Sequence, residues 1–254
     1  MQDIIEYAFM LPVTASFIAL AHYKIGSYPQ SLPRSKNVRR ELVEAIGIWG
    51  VLFVSVAYLM LCRYSLFRYY PFIKVGSRLL PLPHLFLMLE APFLVEVVIN
   101  KRSLFDLGIS IPQSWVPAVA SIGFGVLSGL FRYLIEPSYP VPWDYLVVGL
   151  FTPAFTEEWA YRTGIQQKLE RVVGQHKSWI IGGLLYGLIH VPTDFFGTLW
   201  MASLGNLYIA LMLFVNQCMF GCLWGILFIK CRSLIPIIIS HYLTNYLPFI
   251  IARF

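Results

Sequence analysis

The sequence predicts an all-α fold, a polytopic membrane helix bundle of about eight transmembrane helices. Of its 254 residues, 58% are hydrophobic and only 13% charged. The mean hydropathy is +0.68, and apolar stretches recur along nearly the whole length. A soluble domain of this size does not have that composition. No sizeable aqueous segment is left over, so residues 1–254 read as a single integral membrane domain whose solvent is the lipid bilayer.

A helix needs about 20 residues to cross about 30 Å of hydrocarbon. Eight stretches qualify: 4–22, 43–62, 82–99, 115–135, 144–172, 178–194, 205–229 and 233–252. The first follows Asp3 and Glu6 instead of a basic region and lacks a small-residue cleavage site, so it is expected to be a retained span and not a signal peptide. The third is interrupted by Glu90, Pro92 and Glu96, which admits a re-entrant or tilted path. Its two acids are expected to face a cavity or the interface. The fifth is long, and its polar end, from Gln166 to Arg171, is expected to emerge from the bilayer. Gly125 and Gly129, Gly183 and Gly187, and Gly221 and Gly225 are each four apart, which predicts close backbone packing of helices four, six and seven. No internal repeat is visible, which disfavours the common transporter folds.

The net charge of +6 does not point to nucleic acid, because the basic residues lie in short connections beside the spans. The odd connections hold Lys24, Arg34, Lys36, Arg39 and Arg40, then Lys101 and Arg102, then Lys168, Arg171 and Lys177, then Lys230 and Arg232. By the positive-inside rule these face the cytoplasm and both termini lie outside. The exception is the second connection, with Arg63, Arg68, Lys74 and Arg78. There Tyr64, Phe67, Tyr69, Tyr70 and Phe72 read as an interfacial aromatic belt. Cys62, Cys218, Cys222 and Cys231 lack zinc or disulfide spacing and are expected to be reduced packing residues.

The chemistry concentrates in residues 144–252. Glu157, Glu158 and Arg162 lie inside a span, where each unpaired charge costs roughly 2.5 to 3.5 kcal/mol. They must therefore be paired, protonated or facing a wet cavity. Glu158 and Arg162 have the i,i+4 spacing of a same-helix ion pair. Glu157 lies about 100° further round the helix and is the freer carboxylate, the better general base. His190 stands in an otherwise apolar stretch, while His241 and Asn245, four apart, share one face of the last span. Taken singly, a membrane histidine is more often a hydrogen-bonded structural group. Three helices contributing such groups shift that balance. At 1.5 Å per residue, Glu157 is about 20 Å from Arg171, His190 about 20 Å from Lys177 and His241 about 14 Å from Arg232. The groups can therefore meet at one level in one cavity, expected to be reached from the cytoplasm.

These motifs resemble a known family. Glu157 to Arg162 fits the EExxxR motif of the CAAX-protease and bacteriocin-processing family, which includes the type II CAAX prenyl endopeptidases. Tyr186 to His190 resembles its FxxxH motif, with Tyr186 where the family usually has Phe. His241 to Asn245 fits its HxxxN motif. The resemblance covers roughly the last 110 residues and implies an intramembrane glutamate-dependent endopeptidase acting on a membrane-anchored protein or peptide, such as one with a prenylated C-terminus. By the same resemblance Glu157 and His190 activate water, Glu158 and Arg162 support them, and His241 and Asn245 stabilise the oxyanion. The implied location is the plasma membrane or the endoplasmic reticulum, with no bound cofactor.

Other readings stay open on the residues alone. Glu157, His190 and His241 could supply an N2O ligand set for zinc, although HExxH spacing is missing. Members resembling this family also include bacteriocin-immunity and scaffold proteins. Intramembrane acids and histidines build proton relays in transporters as well. Cysteine and serine mechanisms fit less well: Cys218 and Cys222 lie in an apolar helix, and Ser240 faces about 100° away from His241 with no acid near it in sequence.

Overall fold

A computed structural model describes residues 2–63, 71–135, 138–196 and 206–254. The helices, in chain order, are α1 (Gln2–Tyr23), α2 (Val38–Arg63), α3 (Leu82–Ile99), α4 (Trp115–Ile135), α5 (Trp143–Gly149), α6 (156–173), α7 (Gln175–Val191), α8 (Asn206–Cys231) and α9 (Ile235–Ile251). Four of them (α2, α3, α4 and α8) are long and apolar enough to cross a membrane. Their outward faces carry exposed aliphatic residues, among them Val43, Ile46 and Val54 on α2 and Val116, Val119 and Leu134 on α4. The polar residues point inward instead. That inversion of a soluble protein is what a hydrocarbon solvent demands.

The expected fifth span is not one helix. After α5 the chain passes through wide i→i+5 turns, and Thr152 leaves helical geometry altogether, at φ −137° and ψ 120°. The cause is local: Pro153 clashes with a helical conformation of the residue before it. Helix α6 then starts afresh, four residues after the break, with Glu157 and Glu158 in its first turn. Its polar end does not emerge from the bundle either. Gln166, Gln167, Lys168 and Glu170 are all buried, each at most 3% exposed. Lys168 Nζ lies 2.6 Å from Glu96 Oε1 and 3.2 Å from Glu41 Oε2 and also pairs with Glu44. Arg102 pairs with Glu96 and Glu41, and Arg232 with Glu170 at 2.6 Å.

Glu96 is accordingly buried among cations and faces neither cavity nor lipid, while Glu90 lines an apolar groove with Phe93, Phe155 and Trp159. Helix α3 runs unbroken from Leu82 to Ile99, relaxing into i→i+5 turns after Pro92. Lys230 is likewise no free loop charge. It donates to the carbonyls of His22, Ile25 and Gly26, capping the C-terminal end of α1.

A short antiparallel hairpin, β1 (Phe72–Val75) and β2 (Arg78–Pro81), precedes α3. Gly76 turns it at φ +59°. Phe72 thus belongs to a strand, whereas the remaining members of the expected aromatic belt, Tyr64, Phe67, Tyr69 and Tyr70, lie outside the described residues.

Two glycine contacts position the site. A Cβ on Gly125 would stand 2.5 Å from the Ser240 carbonyl, and one on Gly129 2.5 Å from that of Leu243, so α4 lies backbone to backbone on α9. A Cβ on Gly221 would meet the Gly183 Cα at 2.9 Å, which brings α8 equally close to α7. The close packing read from the glycine spacing is present, with α4 against the last helix.

Candidate active site

Because α6 restarts just before Glu157, its first turn presents two adjacent carboxylates to different neighbours. Glu158 points into the bundle. Its Oε2 receives Arg162 Nε at 2.7 Å, and both side chains are fully buried. Arg162 Nη1 also donates to Gln166 Oε1 at 2.8 Å and to the Gly221 carbonyl at 3.2 Å. The ion pair is thus tied to α8. Removing either partner would strand a charge in a low-dielectric interior.

His241 completes this group from α9. Its Nδ1–H donates to Glu158 Oε1 at 2.9 Å, and its ring stacks on Trp224 at 4.5 Å between centroids. Trp224 Nε1 donates to Ser240 Oγ at 3.1 Å. Ser240 thus helps to fix the stacked indole. The Nε2 of His241 lies 3.9 Å from Glu157 Oε2.

Glu157 is the more open carboxylate, 17% exposed. Its Oε2 accepts the phenol of Tyr186 at 2.9 Å. One turn further along α7, His190 uses Nδ1 against the Tyr186 carbonyl at 2.8 Å. A carbonyl can only accept, so Nδ1 carries the hydrogen and Nε2 is the lone-pair nitrogen.

Glu157, His190, His241 and Asn245 all line one cavity of about 270 Å³, together with Tyr186, Arg132, Asn216 and Gln217. All six residues singled out from the sequence thus gather here, four at the cavity wall and the Glu158–Arg162 pair behind them. The sequence reading missed Arg132, Asn216 and Gln217, which lie at unremarkable positions of otherwise apolar helices. It also missed His84, from the first turn of α3. This residue lines a smaller cavity of about 110 Å³ behind Glu157 and His190. Its only advance signal was a histidine near the start of an apolar stretch, where Glu90 and Glu96 drew the attention instead.

Among the described residues, no three His, Cys, Asp or Glu side chains are grouped so as to share a metal ion. Glu157, His190 and His241, the N2O set weighed for zinc, line the same cavity. Among the described residues, none of the four cysteines forms a disulfide.

Fold and site together define a polytopic helical membrane protein whose carboxylates and imidazoles converge on one cavity lined by polar groups. Residues 139–247 match the family described as type II CAAX prenyl endopeptidase, Rce1-like. The resemblance read from the three motifs holds over the segment that contains all of them, and a protease family supports peptide hydrolysis. No curated protein and no solved structure matches the chain.

Proposed function

We propose that this protein is an intramembrane endopeptidase that hydrolyses a peptide bond of a membrane-anchored substrate, with a C-terminally prenylated CAAX-type protein as the leading class. The observation that carries the proposal is the convergence of Glu157, His190, His241 and Asn245 on one cavity.

In this reading a water molecule donates one hydrogen bond to Glu157 and one to the lone pair of His190 Nε2. Glu157 takes the first proton as the water oxygen bonds to the scissile carbonyl carbon, and the π-electron pair moves onto the carbonyl oxygen. The amide N–H of Asn245 and a Nε2–H of doubly protonated His241 receive the oxyanion. With His241 cationic, Glu157, Glu158, Arg162 and His241 sum to zero charge, the arrangement a dry interior tolerates best. Glu157 then returns its proton to the amide nitrogen as the C–N bond breaks, leaving a carboxylic acid, an amine and the enzyme as it began; the acid loses its remaining proton to solvent on release. Preorganised donors of this kind are worth roughly 3 to 4 kcal/mol each.

Purified protein is to be tested on a panel of farnesylated and other membrane-anchored peptides, alongside Glu157→Gln and His190→Ala, with and without chelator. The proposal expects cleavage by wild type, loss of at least 100-fold in both variants, and indifference to chelator. Cleavage that survives in Glu157→Gln would overturn the assigned base, and chelator sensitivity would restore the metal reading.

A further inference from the structure

The peptidase reading raises a physical problem that the structure addresses. A lipid-anchored peptide seated in the front cavity displaces water from it, yet the reaction consumes one water per turnover. Glu157 and His190 line both the front cavity and the smaller one behind it, so this pair forms the wall between the two. The rear cavity is otherwise bounded by aliphatic side chains, among them Val56, Leu59, Met88 and Ile189, and by three further polar residues, His84, Tyr161 and Thr193.

Two of those polar groups are left able to bind a ligand that can both donate and accept. The Tyr161 hydroxyl is buried and has no hydrogen-bond partner among the described residues, in a residue only 2% exposed. His84 is held by Ser55. The Ser55 hydroxyl spends its hydrogen on the Leu52 carbonyl at 2.8 Å, so its contact with His84 Nδ1 at 2.6 Å requires Nδ1 to be the donor. That leaves Nε2 of His84 with a lone pair for the cavity that the ring lines. A buried hydroxyl without a partner is costly, and water recovers that cost when it has two or more polar partners. A cavity of about 110 Å³ has room for more than one water.

We propose that this rear cavity is the water store of the reaction: Tyr161 and His84 hold water behind the Glu157–His190 pair and supply it while substrate fills the front. The inference rests on the peptidase reading for its purpose but not for its existence. His84 acts through water and is a positioning residue. Thr193, whose hydroxyl donates to the His190 carbonyl at 2.7 Å, lines the same cavity.

The test uses the full chain in lipid nanodiscs. His84→Phe puts an apolar ring in place of the imidazole, His84→Gln keeps an acceptor, and Tyr161→Phe deletes only the hydroxyl. With a cleaved peptide, kcat is expected to fall at least tenfold in His84→Phe and severalfold in Tyr161→Phe at unchanged KM, with most of the rate recovered in His84→Gln. Unchanged kcat in a folded His84→Phe overturns the proposal, and so does unchanged kcat in Tyr161→Phe should His84→Phe fail to fold. A crystal structure of wild type supplies the arm that needs no substrate. Ordered water between Tyr161 Oη and His84 Nε2 is expected, and a dry cavity sinks the water store even if peptides are cleaved. Ordered water in a protein that cleaves nothing would sink the peptidase reading alone.

Discussion

The phenol of Tyr186 holds Glu157 Oε2 over 2.9 Å, while the carbonyl of the same residue holds His190 Nδ1 at 2.8 Å. One residue therefore sets the orientation of both groups proposed to bind water, and it does so at the position where the chain departs from the FxxxH pattern. A hydrogen bond to a charged group is worth about 1.5–3 kcal/mol. Tyr186→Phe keeps the backbone contact to His190 and loses only the contact to Glu157. Turnover in this variant is expected to persist at about one tenth of the wild-type kcat, measured on whichever peptide is cleaved. Complete loss would mean that the hydroxyl takes part in the chemistry itself.

Arg162 and Glu158 are fully buried, and breaking such a pair costs about 3–5 kcal/mol. Arg162→Met should therefore lower thermal stability sharply, read from tryptophan fluorescence in detergent. Glu158→Leu combined with Arg162→Met should recover much of that loss without recovering activity, because His241 would lose its Nδ1 partner. A double variant no more stable than the single one would count against this account.

Gly125 touches the carbonyl of Ser240, the residue before His241. Adding one methyl group forces α4 off α9, an overpacking that costs about 1–3 kcal/mol. Gly125→Ala should lose both stability and activity. The control is Gly123→Ala on the same helix, where an added Cβ meets nothing within 4 Å. Equal behaviour of the two would show that the close approach does not position His241.

The cavity lies toward one end of the bundle. Leu213 and Arg132 line it, and each stands about 26 Å along its helix from Lys230 or Trp115, at 1.5 Å per residue. That is the end of the hairpin and away from Lys101, Arg171 and Arg232. An opening at that end would lie on the side opposite the basic connections. In membrane vesicles, Gln217→Cys should be labelled by an impermeant maleimide from the same side as Ser77→Cys and from the side opposite to Lys101→Cys. Labelling of Gln217→Cys together with Lys101→Cys would refute this placement of the cavity, and the side found for Ser77→Cys tells which compartment the site serves.

Much of this was legible because it is local. Hydropathy names the solvent, and four-residue spacing alone pairs Glu158 with Arg162 and puts His241 and Asn245 on one face. Glycines four apart likewise announced the contacts of α4, α7 and α8. The break at Thr152 was readable in principle from Pro153, but the apolar run concealed it. The polar end of α6 misled for a different reason. Charges from Gln166 to Arg171 look solvent-bound until Glu41, Glu44 and Glu96, distant in sequence, are seen to surround Lys168.

By itself, then, the amino-acid order determined that the chain lives in a bilayer as a helical bundle and which carboxylates, imidazoles and amide are the candidates for its chemistry. Only the tertiary structure decided that Tyr186 holds Glu157, that His84 stands behind the site, and that two cavities share the Glu157–His190 wall. Periodicity and hydropathy act within one helix, over a few residues. A cavity exists only where side chains of several helices fail to fill the space between them, and that depends on how those helices cross.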